Sequence, residues 1–225
     1  MTTFGDDSFI RCPHCKKPKK MITVNSGNTF GGTRWSDTKN DFPMMPRPSA
    51  IQECPWCGKF YFYSRPLFDE MVEFAKELMS PEEVQKLNKS SATFGWLKYE
   101  QVLVAAEQFK NEEISKKDEQ RLYWMLVHGY NDEYQRGEKK PVSKEKFSRF
   151  KDDVLHLISL IEPSEQSPVI IAELYREIGE FSKCLETLES FEVKNKDDDR
   201  SGYIWEVVEM IKSHAAKGIS HIFKL

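Results

Sequence analysis

Cys12-Pro13-His14-Cys15 and Cys54-Pro55-Trp56-Cys57 are two Cys-x-x-Cys pairs with 38 residues between them, and no other feature of the chain restricts its fold as tightly. A two-residue gap lets one tight turn present both sulfurs of a pair to the same point while backbone amides hydrogen-bond to them. Two such turns supply four thiolates, which suits a single tetrahedral metal ion. Cys12, Cys15, Cys54 and Cys57 are therefore read as one metal site, with zinc expected ahead of iron. Proline at the second position of each pair helps fix the turn. Gly58, directly after the second pair, can take the positive φ that closes such a turn, whereas the first pair has Lys16 there. His14, between two ligands, is expected to be a solvent-facing turn residue.

The competing reading is redox catalysis, since Cys-Pro-His-Cys alone matches a tetrapeptide of thioredoxin-like oxidoreductases. That chemistry needs the motif to open a helix that lowers the thiol pKa. Here Lys-Lys-Pro-Lys-Lys follows, and a second matching pair would be left without a role. Four cysteine ligands also leave no open position for water, so the expected role of the metal is structural. The segment has few apolar residues for its size, and the metal is expected to supply much of its folding free energy. The pattern resembles zinc ribbons and, more distantly, rubredoxin, over about residues 9–64. That resemblance implies a small β domain built around two knuckles.

Texture and charge both change along the chain. Up to Pro66 the sequence is rich in Gly, Pro, Asn, Ser and Thr, with short β-type runs at 21–24 and 59–63. Beyond it, apolar residues recur three and four apart, the period of amphipathic helices. The expected organisation is a zinc-ribbon-like domain over 1–66 and a helical domain over 67–225, mainly α overall. Residues 1–66 carry ten Lys and Arg against five acids, and the rest carries 23 against 31, giving balances of +5 and −8. The basic end suits nucleic acid, an acidic protein or its own acidic half. The longest apolar run, 122–127, is far below the roughly 20 residues a membrane crossing needs, so no membrane partner is expected. The N-terminus lacks the basic start and apolar core of a signal peptide, and a cytoplasmic location is expected.

Helices are expected at 67–79, from Pro81 to about Lys89, and at 94–110, 117–136, 144–161, 168–178, 181–191 and 203–216. Ser80, Pro81 and Glu83 read as N-cap, first helical position and capping-box acid. Leu122, Leu126 and Tyr130 share one face, as do Phe147, Phe150, Val154, Ile158 and Ile161. The charged stretch 194–200 reads as a solvated loop. Residues 171–188, with small Ala172 and Cys184, Tyr175, the Gly179-Glu180-Phe181 turn and Leu188, resemble one tetratricopeptide repeat. That resemblance implies a scaffold that binds peptides or proteins. Cys184 is expected to be a buried small residue.

The segment 25–49 is long for a connection. Phe30-Gly31-Gly32-Thr33-Arg34-Trp35-Ser36-Asp37 with Pro43-Met44-Met45-Pro46 and then Cys54-Pro55-Trp56-Cys57 resembles a segment of uncharacterised bacterial proteins, which implies a bacterial origin and carries no known activity. Arg34, Trp35 and Asp37 suggest a recognition surface. The plainer expectation is that Trp35 and Phe42 cover the knuckles and that Arg34 pairs with Asp37. Phe60 to Tyr63 reads as a strand with one buried face. His128, His156, His214 and His221 are scattered, and no nucleophile, base and orienting acid stand at persuasive spacing. The sequence therefore points to a non-enzymatic adaptor that binds protein. The second reading is a nucleic-acid-binding zinc ribbon using Arg11, Lys16, Lys17, Lys19, Lys20 and Arg34.

Overall fold

The computed structural model describes residues 2–5, 8–21, 24–63, 80–90, 97–136, 141–195 and 202–225. Among them lie seven helices and eight short strands that form small antiparallel pairs near the N-terminus, so the fold is mainly α with a small β part. Packing divides the chain into two compact units. The first comprises residues 1–32 and 42–118, and the second 33–41 and 119–225. Grouping by packing thus follows a different line from the change of texture at Pro66. The expected helix at 67–79 and most of the charged stretch 194–200 lie outside the described residues.

In the first unit, β1 (Thr3–Phe4) pairs with β4 (Val24–Ser26), β2 (Ser8–Arg11) with β3 (Pro18–Met21), and β7 (Ile51–Glu53) with β8 (Phe60–Phe62). The run expected as a strand at 21–24 is divided: Met21 ends β3, which starts at Pro18 because the first knuckle closes a hairpin that sets Pro18 opposite Arg11 and Lys19 opposite Ile10, Val24 opens β4, and residues 22–23 lie outside the described residues. Proline heads β3, a strand position where its missing N–H is tolerated. Phe60 to Tyr63 also departs from its expected pattern. Phe60 and Tyr61 are both buried, since Tyr61 joins the cysteine core while Phe62 stacks on Phe109 at 4.6 Å. Helix α1 (Pro81–Ser90) starts with the expected capping box: the Ser80 and Glu83 amides donate to the Glu83 carboxylate and the Ser80 hydroxyl at 3.1 and 3.2 Å. From α2 (Tyr99–Phe109), the Gln108 amide group both accepts from Phe60 N–H and donates to Phe60 C=O, at 2.9 Å each. A side chain here takes the place of a neighbouring strand.

In the second unit, α3 (Lys116–Tyr134) buries Leu122, Leu126 and Tyr130 as their spacing requires. Ser143 caps α4 (Lys144–Leu160) by accepting from Lys146 N–H. The buried face of α4 is Phe150, Val154, Leu157 and Leu160; Phe147 is exposed and Ile158 only partly buried. The sequence pattern admits both stripes, and packing selects the one that stacks Phe150 on Tyr130 at 3.8 Å. Helices α5 (Ser167–Glu177), α6 (Phe181–Lys194) and α7 (Tyr203–Ala216) share a core that includes Ala172, Cys184 and Leu188, each 0% exposed. Gly179, at φ +77°, makes the tight turn between α5 and α6. Burial pushes the Cys184 thiol up to about 12, consistent with an inert core residue.

Candidate metal centre

Each knuckle is a hairpin turn with one hydrogen-bond pattern. Cys12 N–H donates to Lys17 C=O and Lys16 N–H to Cys12 C=O; Cys54 N–H donates to Lys59 C=O and Gly58 N–H to Cys54 C=O, all at 2.9 Å. The positive φ expected of Gly58 is present at +69°, and Lys16 takes the same conformation at +61° despite its side chain. A left-handed non-glycine residue costs roughly 1–2 kcal/mol. Lys16→Gly is therefore expected to stabilise the metal-loaded protein by about 1 kcal/mol, read from its urea midpoint. Gly58→Ala, which meets no neighbour within 4 Å, should destabilise by a similar amount through backbone strain alone.

The two turns bring the sulfurs of Cys12, Cys15, Cys54 and Cys57 within 4.8 Å of one another. The Cys12–Cys57 separation is 3.9 Å and the Cys15–Cys54 separation 3.6 Å. Sulfurs at the corners of a tetrahedron with metal–sulfur bonds of about 2.3 Å lie about 3.8 Å apart. The geometry fits a metal ion bound by four thiolates. Cys12 and Cys54 are buried beside Ile10, Met21 and Tyr61, with Trp56 partly covering them, while Cys57 is exposed. Trp56 donates its indole N–H to Pro18 C=O at 2.6 Å, tying the second knuckle to the strand that leaves the first. Burial pushes the Cys54 thiol up to about 12, against the pull of the Cys57 and Trp56 amides. Burial also raises Cys12. A bound cation would offset that penalty on the thiolates. His14 is exposed at the turn, with Nε2 3.0 Å from Phe60 C=O.

The remaining expected site residues are distributed differently. Arg34, Trp35 and Asp37 belong to the second unit, where β5 (Thr33–Arg34) and β6 (Asn40–Asp41) form a small hairpin. Asp37 does not pair with Arg34. Its carboxylate, 1% exposed, accepts from Arg136 and from Asn131 Nδ2, and its C=O lies 2.9 Å from His128 Nε2. Trp35 packs under the cations of Arg136 and Lys224, and Phe42 lies against Gly32 in the first unit. Lys19, expected on a nucleic-acid face, is turned inward and only 6% exposed. Lys17 pairs with Glu83 and lies over Trp56. His156 meets Glu119, and His214 stacks on Phe223.

A buried polar network in the second unit had no signal in the sequence. Asn131 Nδ2 donates to Asp37 and also to Glu177 Oε2, both at 2.9 Å. Glu177 Oε1 and Asn131 Oδ1 are buried without a hydrogen-bond partner among the described residues. Burial raises the Glu177 carboxyl well above its ordinary range, helped by the carboxylates of Glu173 and Asp37 and opposed by Asn131 and Arg176. A carboxyl raised on folding adds no penalty below its unfolded pKa, and stability falls as pH rises from there towards the folded value. Glu177→Gln keeps the shape, loses the ionisation and gains a donor. Its advantage over the wild type is expected to be smallest near pH 4, about the unfolded carboxyl pKa, and to grow up to pH 8 in urea unfolding; a constant difference would refute this assignment.

The fold and site define a mainly helical chain with a four-cysteine cluster able to hold a metal. Comparison with family models, with curated proteins and with solved structures finds no match.

Proposed function

We propose that the chain is a non-enzymatic adaptor in which zinc, held by Cys12, Cys15, Cys54 and Cys57, staples the first unit and the helical unit binds a protein partner. The observation that carries this reading is the closed set of four sulfurs, which leaves no position for a catalytic water or a substrate. Zinc, with its preference for four tetrahedral sulfur ligands, suits it better than iron. The α5–α6 pair supports the partner-binding half. Its seam of Ala172, Cys184 and Leu188 with Gly179 at the turn resembles a tetratricopeptide-like hairpin, a scaffold that binds peptides on a concave face.

Elemental analysis of the purified chain is expected to give one zinc per molecule. Affinity capture followed by reconstitution from purified components should yield a partner bound at micromolar affinity or better. Failure of every captured protein to rebind would sink the adaptor reading. The second reading, nucleic-acid binding, draws on exposed Lys16 and Lys17 beside the first knuckle. Filter binding at about 50 mM and 200 mM salt separates the two, because phosphate contacts weaken steeply with salt.

A further inference from the structure

Among the described residues of the first unit, Lys19 is the one buried cation. It sits on β3 opposite Ile10, which lines the cysteine core. Its Nζ donates to Gln52 Oε1 at 2.7 Å and to Glu53 C=O at 3.0 Å. Gln52 is buried as well and is fixed by its own Nε2, which donates to Ser49 C=O at 2.7 Å. Both acceptors are neutral. The Glu53 carboxylate is exposed and accepts from Gln101. A desolvated ammonium held only by neutral groups is costly unless a negative charge lies close by. Burial accordingly lowers the Lys19 pKa, and what opposes it is the negative charge of Cys54, then of Glu53, then of Cys12. A divalent ion bound by four thiolates is formally a dianion. The buried cation therefore stands beside a site whose loaded form carries the charge it lacks.

We propose that Lys19 is the built-in counter-ion of the metal centre, a positioning charge that tightens binding of a divalent ion by the four cysteines. This rests on the metal reading of those cysteines. Loading converts thiols into a dianionic complex, so a nearby fixed positive charge stabilises the product more than the empty site. Because Nζ is held by the carbonyl of Glu53, the residue preceding Cys54, it stays with the second knuckle while its backbone belongs to the strand leaving the first.

The test compares the whole purified chain with Lys19→Met, Lys19→Arg and Gln52→Glu. The last places a carboxylate on Nζ and quenches its field without removing it. Zinc affinity is read by competition with a chromophoric chelator and stoichiometry by cobalt thiolate absorption. Lys19→Met and Gln52→Glu are expected to weaken zinc binding by about 10- to 100-fold, the usual range for outer partners of metal ligands, at unchanged stoichiometry. Lys19→Arg should bind nearly as tightly as the wild type. With iron in the site, both charge-removing changes should lower the one-electron potential by about 59 mV or more, a tenfold shift in the equilibrium. A lysine that merely ties two strands together would not move that potential. Unchanged affinity and potential overturn the counter-ion role while leaving the metal reading intact, and Gln52→Glu decides the matter if Lys19→Met does not fold. A wild-type chain that binds neither zinc nor cobalt overturns both.

Discussion

Stripping the metal from the purified chain with a strong chelator is expected to dissolve the knuckle core of the first unit. Structural zinc sites of this kind contribute on the order of 10–16 kcal/mol of apparent binding free energy. The core they would hold here is small: Ile10, Met21, Tyr61 and the cysteines themselves, with Trp56 and Tyr63 at its margin. Without the ion, four sulfurs within 4.8 Å of one another, two of them on buried residues, have nothing to draw them together. Trp56 would lose its bond to Pro18, and its fluorescence should shift towards that of exposed indole. Trypsin should then cut after Lys16, Lys19 or Lys20, while most of the far-ultraviolet helical signal persists. Cys54→Ser is expected to mimic the chelator. Unchanged fluorescence and protease resistance after complete demetallation would show that the metal does not hold this unit.

The second large effect is expected at Arg176, the largest of the fully buried side chains. Its Nε donates to Glu173 Oε2 at 2.7 Å and another of its nitrogens to Glu173 Oε1, making a two-pronged buried pair. A further nitrogen donates to the carbonyls of Ile219 and His221, at 2.7 and 2.8 Å, and the guanidinium lies 5.0 Å from the Phe223 ring centre. It thus binds the C-terminal tail to α5. That tail is also paired backbone to backbone with the inserted hairpin: Ser36 N–H donates to Phe223 C=O and Leu225 N–H to Arg34 C=O, each at 2.9 Å. Arg176→Met leaves Glu173 charged and buried and frees two carbonyls. Breaking a buried pair from one side typically costs about 3–5 kcal/mol. Urea unfolding should show a loss of that size, and carboxypeptidase should trim the tail faster. Changing Glu173 and Arg176 together to apolar residues should recover much of the loss, because the cost lies in the stranded charge. A double variant as unstable as Arg176→Met would show that the carbonyl contacts, and not the charge, dominate.

Local chemistry was legible in the sequence wherever it acts over a few residues. The Cys-x-x-Cys turns, the positive φ of Gly58 and Gly179, the Ser80–Glu83 capping box and the 203–216 helix all depend on neighbours within one turn of the chain. So does the buried stripe Leu122, Leu126 and Tyr130, since helical period alone places those side chains together. What the sequence did not show is which distant group a polar residue meets. Lys19 in a lysine run, Asp37 in a glycine-rich loop and Arg176 on an amphipathic helix all look like solvated charges, yet each is buried. Their partners, Gln52, Arg136 and the carbonyls of Ile219 and His221, lie 33 to 99 residues away.

The sequence by itself determined that four cysteines form two matched turns and that the fold is mainly α, because turn geometry and hydrophobic period are short-range properties. Only the tertiary structure decided that residues 33–41 pack with the helical unit and that Lys19 is buried against Gln52 and the carbonyl of Glu53. A buried charge is tolerated only where a complementary group reaches it, and that is settled by how the whole chain closes.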